Sequence, residues 1–258
     1  MEVTARLLVL AVLLLVAAPV RADEIRVMTS GGFTAALLEL LPEFERTTRH
    51  NVLTAFGASM GGAPDSIPSR LARGEPADVV ILARPALDSL AAQGKVAPGT
   101  AVDLVRSLIG MVVRAGAPKP DISSVEALTR TLLEARSIAY SASASGVYLS
   151  TELFPRLGVA DQIRGRSRRI ESERVATVVA RGGAEIGFQQ ISELLPVPGV
   201  DYVGPLPEGA QQVTVFSAGL AAGARAPDAA RTLIRFLASP AAHPIIRKSG
   251  LDPIASPH

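Results

Sequence analysis

The residues in this chain best suited to chemistry are serines, glycines and arginines gathered where a short apolar run gives way to a helical pattern. Thr29-Ser30-Gly31-Gly32, Gly57-Ala58-Ser59-Met60-Gly61-Gly62 and Ser141-Ala142-Ser143-Ala144-Ser145-Gly146 are three such junctions. The first N–H groups of a helix have no partner inside it, and the helix dipole favours negative charge there. Hydroxyls add donors, and glycine lets the backbone approach a ligand closely. One junction of this kind reads as an ordinary helix cap. Three at equivalent places describe a concave set of neutral donors for a small anion. Arg84 follows the apolar run Val79 to Leu82, and Arg174 precedes the helical pattern Val175 to Arg181. Each guanidinium could grip a carboxylate in two-pronged fashion or close an ion pair with a neighbouring acid at the surface.

Other chemistries lack their residues. With no cysteine there is no disulfide, no thiolate nucleophile and no Cys-ligated metal. The histidines are His50, His243 and His258, and no GxSxG elbow or HExxH motif accompanies them. Neither a Ser-His-Asp triad nor a metal site is expected. No Walker loop or dinucleotide fingerprint occurs, and no cofactor is expected. Lys and Arg total 26 against 24 Asp and Glu, and basic residues are not interleaved with aromatics, so nucleic acid is not an expected partner. The one basic cluster, Arg164 to Arg169, reads as a solvated loop.

These junctions are positioned by an alternation of strands and helices. Ile25–Met28, Val52–Phe56 and Val79–Leu82 read as strands. Between and after them run helical patterns over Phe33–Phe44, Ile67–Arg73 and Pro85–Gln93. A second series follows, with Ser107–Val113 as one long strand, then a helix over Val125–Ala135 and a strand at Ile138–Tyr140. A helix over Gly146–Phe154, another over Val175–Arg181 and a strand at Ile186–Phe188 continue it. Tyr202-Val203 is a short strand, Val213–Ala221 another long one, and helices over Ala229–Leu237 and Ala241–Lys248 close the chain. Such alternation implies an α/β fold with mostly parallel sheets. The two long strands read as crossovers to a lobe inserted into another lobe. The expected division is a first lobe of residues 23–105 and 222–258, a second, inserted lobe of residues 106–221, and a ligand cleft between them. Residues 1–22 read as a cleavable signal peptide. Arg6 precedes the uncharged run Leu7 to Val20, and Val20 and Ala22 are small residues at the −3 and −1 positions. The expected product is an exported periplasmic protein.

At these junctions the chain resembles the ModA-like branch of type II periplasmic binding proteins, the molybdate-binding family of ABC importers. The carriers are Val27-Met28-Thr29-Ser30-Gly31-Gly32-Phe33-Thr34, Gly74-Glu75-Pro76-Ala77-Asp78-Val79-Val80-Ile81, Gln93-Gly94-Lys95-Val96 and Ser145-Gly146-Val147-Tyr148. Glu185-Ile186-Gly187-Phe188, Ser239-Pro240-Ala241-Ala242 and Ser249-Gly250-Leu251 complete the set. The resemblance implies a monomeric protein that captures a small anion and delivers it to an ABC permease and its ATPase. It implies ligand contacts at Gly32 or its neighbour Ser30, and at Ser59, Ser145, Val175 and Gln190. Gly31 and Ser143 share those junctions. A glycine stands where the family pattern has its first serine, and Gln190 replaces a tyrosine. Arg84 occupies a place of short acidic or polar residues, which favours a carboxylate-bearing ligand over a tetrahedral oxyanion. Relatives in this branch include periplasmic aconitate isomerases. By that alternative, Glu173 would be the base and Arg84 and Arg174 would hold the carboxylates.

Overall fold

The computed structural model describes residues 22–255; apart from Ala22, the expected signal peptide lies outside the described residues, as does His258. The first half of lobe one runs β1 (Glu24–Thr29), α1 (Gly31–Thr48), β2 (Asn51–Phe56), α2 (Ile67–Ala72), β3 (Val79–Ala83), α3 (Arg84–Ala92) and β4 (Val102–Ser107). The helical spacing of Phe33, Ala36, Leu37, Leu40, Leu41 and Phe44 makes one apolar stripe on α1, and all six are buried against the sheet. A fully buried side chain of this size contributes roughly 1.5–3 kcal/mol. Arg49, in the left-handed region at φ 64°, ends α1 by donating its N–H to Glu45 O.

Lobe two contains β5 (Ile109–Arg114), α4 (Val125–Glu134), β6 (Ile138–Ser141), α5 (Ala144–Tyr148), α6 (Phe154–Arg156), α7 (Ala160–Ile163) and β7 (Ser167–Ile170). It continues with α8 (Val175–Ala180), β8 (Ile186–Gln190), α9 (Ile191–Leu194) and β9 (Val200–Pro205). The chain then returns to lobe one through β10 (Thr214–Leu220), α10 (Pro227–Leu237), α11 (His243–Lys248) and β11 (Asp252–Pro253). The two sheets have the orders β11-β4-β10-β3-β1-β2 and β7-β6-β8-β5-β9. Each has apolar clusters on both faces, as expected when helices cover both sides of a sheet.

Four expectations are corrected. The long strand Ser107–Val113 is two strands, since the backbone leaves one sheet after Ser107 and enters the other at Ile109. The second long strand, expected within lobe two, is hydrogen-bonded between β3 and β4 of the first sheet. The inserted lobe therefore ends before Thr214 rather than at residue 221. Both strands adjoining the crossovers run antiparallel to their neighbours, so each sheet is mixed. Arg164–Arg169 is likewise no simple loop, because Ser167–Ile170 pairs with β6 as an edge strand. Arg166 donates to Leu132 O and Leu133 O, occupying carbonyls that the end of α4 leaves free.

The crossovers are stapled by one side chain. Gln211 accepts the N–H of Ile109 at 2.9 Å and donates to Ile109 O at 3.0 Å, imitating a strand partner where no strand exists. Gln190 also reaches across, donating to Thr214 Oγ1 at 2.9 Å. Within lobe one, buried Asp78 accepts the backbone N–H groups of Arg26, Arg225 and Ala226, tying β1 to the chain entering α10. Asp78→Ala leaves three amide donors without that acceptor. It is expected to lower unfolding stability by about 3 kcal/mol, and Asp78→Asn by less, in denaturant titrations.

Candidate functional site

Between the lobes lies a cleft with a cavity of about 380 Å³. Lobe one contributes Gly31, Thr34 and Leu38 from α1, and Phe56, Gly57, Ala58 and Asp65 from the end of β2 and the loop beyond it. Lobe two contributes Ser141, Ala142 and Ser143 after β6, Ile170 through Arg174 before α8, and Gln189 and Glu193 around the start of α9. Strand ends and helix starts thus converge from both lobes, as the junction pattern requires. The junction after β6 is tight. A Cβ on Gly146 would lie 1.5 Å from Ser141 O, so α5 can begin this close to its strand only through glycine.

Hydrogen bonds join the two walls. Ser59 N–H donates to Ser143 Oγ at 3.2 Å, and Ser172 Oγ bonds to an Asp65 carboxylate oxygen at 3.1 Å. Ser192 Oγ donates to Gly32 O at 2.7 Å in a fully buried contact between the first turns of α9 and α1.

Of the residues singled out in the sequence, Gly31, Ser143, Glu173 and Arg174 line this cavity. Ser59 and Ser145 stand one layer behind it. Ser59 Oγ accepts the N–H of Ala83, and Ser145 Oγ lies 3.1 Å from the Oγ of Ser141, which does line the cavity. Ser30 caps α1 without a side-chain bond, and its buried Oγ has no partner among the described residues. Gly32 faces the ring of Phe216. Val175 N–H donates to Gln189 Oε1 at 2.8 Å. Gln190 points to the crossover, because successive residues of a strand face opposite sides; its neighbour Gln189 is the one in the cavity.

Arg84 stands apart from the cleft. Its guanidinium donates to Asp88 at 2.8 Å, one helical turn along α3, and to Asp103 at 2.7 Å on β4. The ion-pair reading holds for this arginine. Glu173 is engaged similarly: both its carboxylate oxygens accept from Arg181 at 2.6 Å, and that pairing holds its carboxyl below the usual glutamate range. A carboxylate so stabilised is a weak proton acceptor.

The group that the sequence reading missed is Glu193. It is buried in the cavity wall, and burial pushes its carboxyl up to about 7, against the opposing pull of Arg174's charge and of the Gln189 side-chain bond. Gln189 Nε2 donates to Glu193 Oε2 at 2.5 Å while its own Oε1 is fixed by Val175 N–H. The available signal was an acid three residues beyond the end of a strand, in Gln190-Ile191-Ser192-Glu193. Among the described residues no group of three His, Cys, Asp or Glu side chains could hold a metal ion. The cavity lining thus combines one cation, Arg174, with the acids Asp65, Glu171, Glu173 and Glu193, the last of them a buried carboxyl pushed up to about 7.

Comparison with known proteins identifies the family and the fold. Residues 25–252 match the family described as bacterial extracellular solute-binding protein. An aconitate isomerase of Pseudomonas sp is 47% identical over 251 residues, covering 96% of each chain. The molybdate-binding protein ModA of Azotobacter vinelandii is 26% identical over 247 residues, 92% of each chain. The solved periplasmic molybdate-binding protein of Azotobacter vinelandii superposes with a TM-score of 0.72 at 22% identity, covering 91% of this chain and 100% of that one, a likeness of fold.

The Glu193 carboxyl also affects stability. Its value of about 7 lies above the usual 4.5, so the folded chain holds a proton that the unfolded chain has lost between those two pH values. Stability therefore falls as pH rises from about 4.5 to about 7 and stays lower above. Glu193→Gln remains neutral and can still accept the Gln189 N–H. It is expected to be more stable than the parent at pH 8 by about 2–3 kcal/mol in urea unfolding, with the gain vanishing near pH 4.

Proposed function

The chain belongs to the family of bacterial extracellular solute-binding proteins, and on that footing we propose that its cleft binds a small polycarboxylate and moves the ligand's double bond, as an aconitate isomerase does. The observation that carries this reading is the buried, near-neutral carboxyl of Glu193 in a cavity that also contains Arg174. The relative at 47% identity supports the choice of substrate. In aconitate, a methylene group lies between a carboxylate and the carbon–carbon double bond. Glu193 removes one methylene proton, and the electron pair moves inward to form the new double bond. The former vinyl carbon receives the proton back, so the composition of the molecule is unchanged. Arg174 and the amide and hydroxyl donors of the two walls stabilise the negative charge that spreads onto the carboxylates between these steps. Gln189 keeps the Glu193 carboxyl aimed into the cavity.

A second reading has its own support. The bonds Ser59–Ser143 and Asp65–Ser172 close the walls on one another, as suits a protein that traps its ligand. By this reading the chain is exported to the periplasm, works as a monomer, and delivers a captured anion to an ABC permease with its ATPase.

Incubating the purified protein with trans-aconitate, and following the cis isomer by proton NMR, separates the two. Turnover is expected, with kcat/KM rising with pH through an apparent value near 7 as Glu193 loses its proton. Glu193→Gln should reduce kcat about a thousandfold. Glu173→Gln, which removes only a half-exposed ion pair, should stay within about threefold of the parent. Tight binding of trans-aconitate without turnover would favour capture.

A further inference from the structure

Gly31 and Glu193 come from different lobes and meet in the cavity wall. A Cβ on Gly31 would lie 2.2 Å from Glu193 Oε2 and 2.7 Å from its Cδ, so the absent side chain is the seat of the carboxyl. The same oxygen accepts the Gln189 bond on its other side. Around it, α1 contributes Gly31, Thr34 and Leu38 to the cavity, and β8 contributes Gln189, none of them charged. The start of α8 brings Arg174, whose positive charge acts on the carboxyl. Asp65, Glu171 and Glu173 also line the cavity, all of them acids.

A site meant for anions therefore carries an acid in its innermost wall, where little water screens it. Bringing a second full negative charge against an ionised carboxylate at such a place is opposed by several-fold more energy than in bulk water. The opposition disappears when the carboxyl holds its proton, because it can then donate a hydrogen bond to the incoming anion. An organic acid can turn a C–H edge to the carboxyl and keep its charges elsewhere, whereas a tetrahedral oxyanion is charged on every side.

We propose that Gly31 and Glu193 form a selectivity element that makes capture of a fully ionised oxyanion conditional on uptake of one proton at Glu193, and so sorts organic acids from inorganic oxyanions. The proposal rests on the reading of this cleft as the anion site but not on catalysis within it.

Inorganic sulfate, whose charge is constant between about pH 5.5 and 8.5, is the probe. Its affinity is measured by titration calorimetry in buffers of different ionisation enthalpy, which counts protons taken up. In the parent protein, sulfate should weaken up to tenfold per pH unit above neutrality, with about one proton taken up per sulfate. Glu193→Gln should bind sulfate with no such dependence and more tightly than the parent at pH 8. Gly31→Ala, which displaces the carboxyl, should flatten the same profile; should it not fold, Glu193→Gln carries the test. A pH-independent sulfate affinity in the parent, the same pH profile in Glu193→Gln, or sulfate binding in neither protein at any pH would each overturn the proposal. Assaying trans-aconitate turnover on the same samples keeps the two ideas apart. Glu193→Gln that gains sulfate binding but still isomerises would remove the base and leave the selectivity element. Loss of turnover with an unaltered sulfate profile would do the reverse.

Discussion

The Glu193 carboxyl lies buried where the first turns of α1 and α9 meet, with one amide donor and one neighbouring cation to compensate it. Such a group can remain only if the surrounding backbone is fixed closely enough to deny it water. The buried bond from Ser192 to Gly32 docks the two helices, and the two glycines at the start of α1 leave room for the Glu193 carboxyl and the Phe216 ring. Gln189 is in turn locked by the first amide of α8. The site is thus a consequence of how three helix starts are packed together.

That packing requires two lobes to hold one relative position at the floor of the cleft. The chain passes between the sheets beside Leu108 and again before Thr214, and Gln211 bonds across both passages. Gln190 to Thr214 adds a second tie at the same place. The bonds farther out, Ser59 to Ser143 and Ser172 to Asp65, are single hydrogen bonds, each with at least one partner only half-buried or exposed. A firm floor with lightly joined walls is the mechanical arrangement a ligand-trapping cleft needs.

Much of the architecture was legible because it follows from periodicity. The stripe from Phe33 to Phe44 and the strand–helix alternation point to an α/β fold, and the three Ser/Gly junctions contribute Gly31, Gly57 and Ser143 to the cavity lining. What was hidden depends on direction and pairing. Whether Gln189 or Gln190 faces the cleft is a question of strand parity, decided by where β8 ends. Arg84 and Arg174 both stand at the start of a helix, but Arg84 meets Asp103, a residue nineteen positions away on a different strand. Glu193 belongs to no motif or junction that the sequence marks out. Its unusual character comes from Gly31, far away in sequence, and from the desolvation that lobe packing imposes.

The carboxyl itself can be observed directly. Protein labelled with carbon-13 at the glutamate side-chain carboxyls, titrated by NMR and compared with Glu193→Gln to assign the resonance, reports the protonation of this one group. A midpoint near 7 is expected, moving upward when an anion is bound beside it. A midpoint in the ordinary glutamate range, unmoved by any anion, would contradict both the buried base and the site built around it.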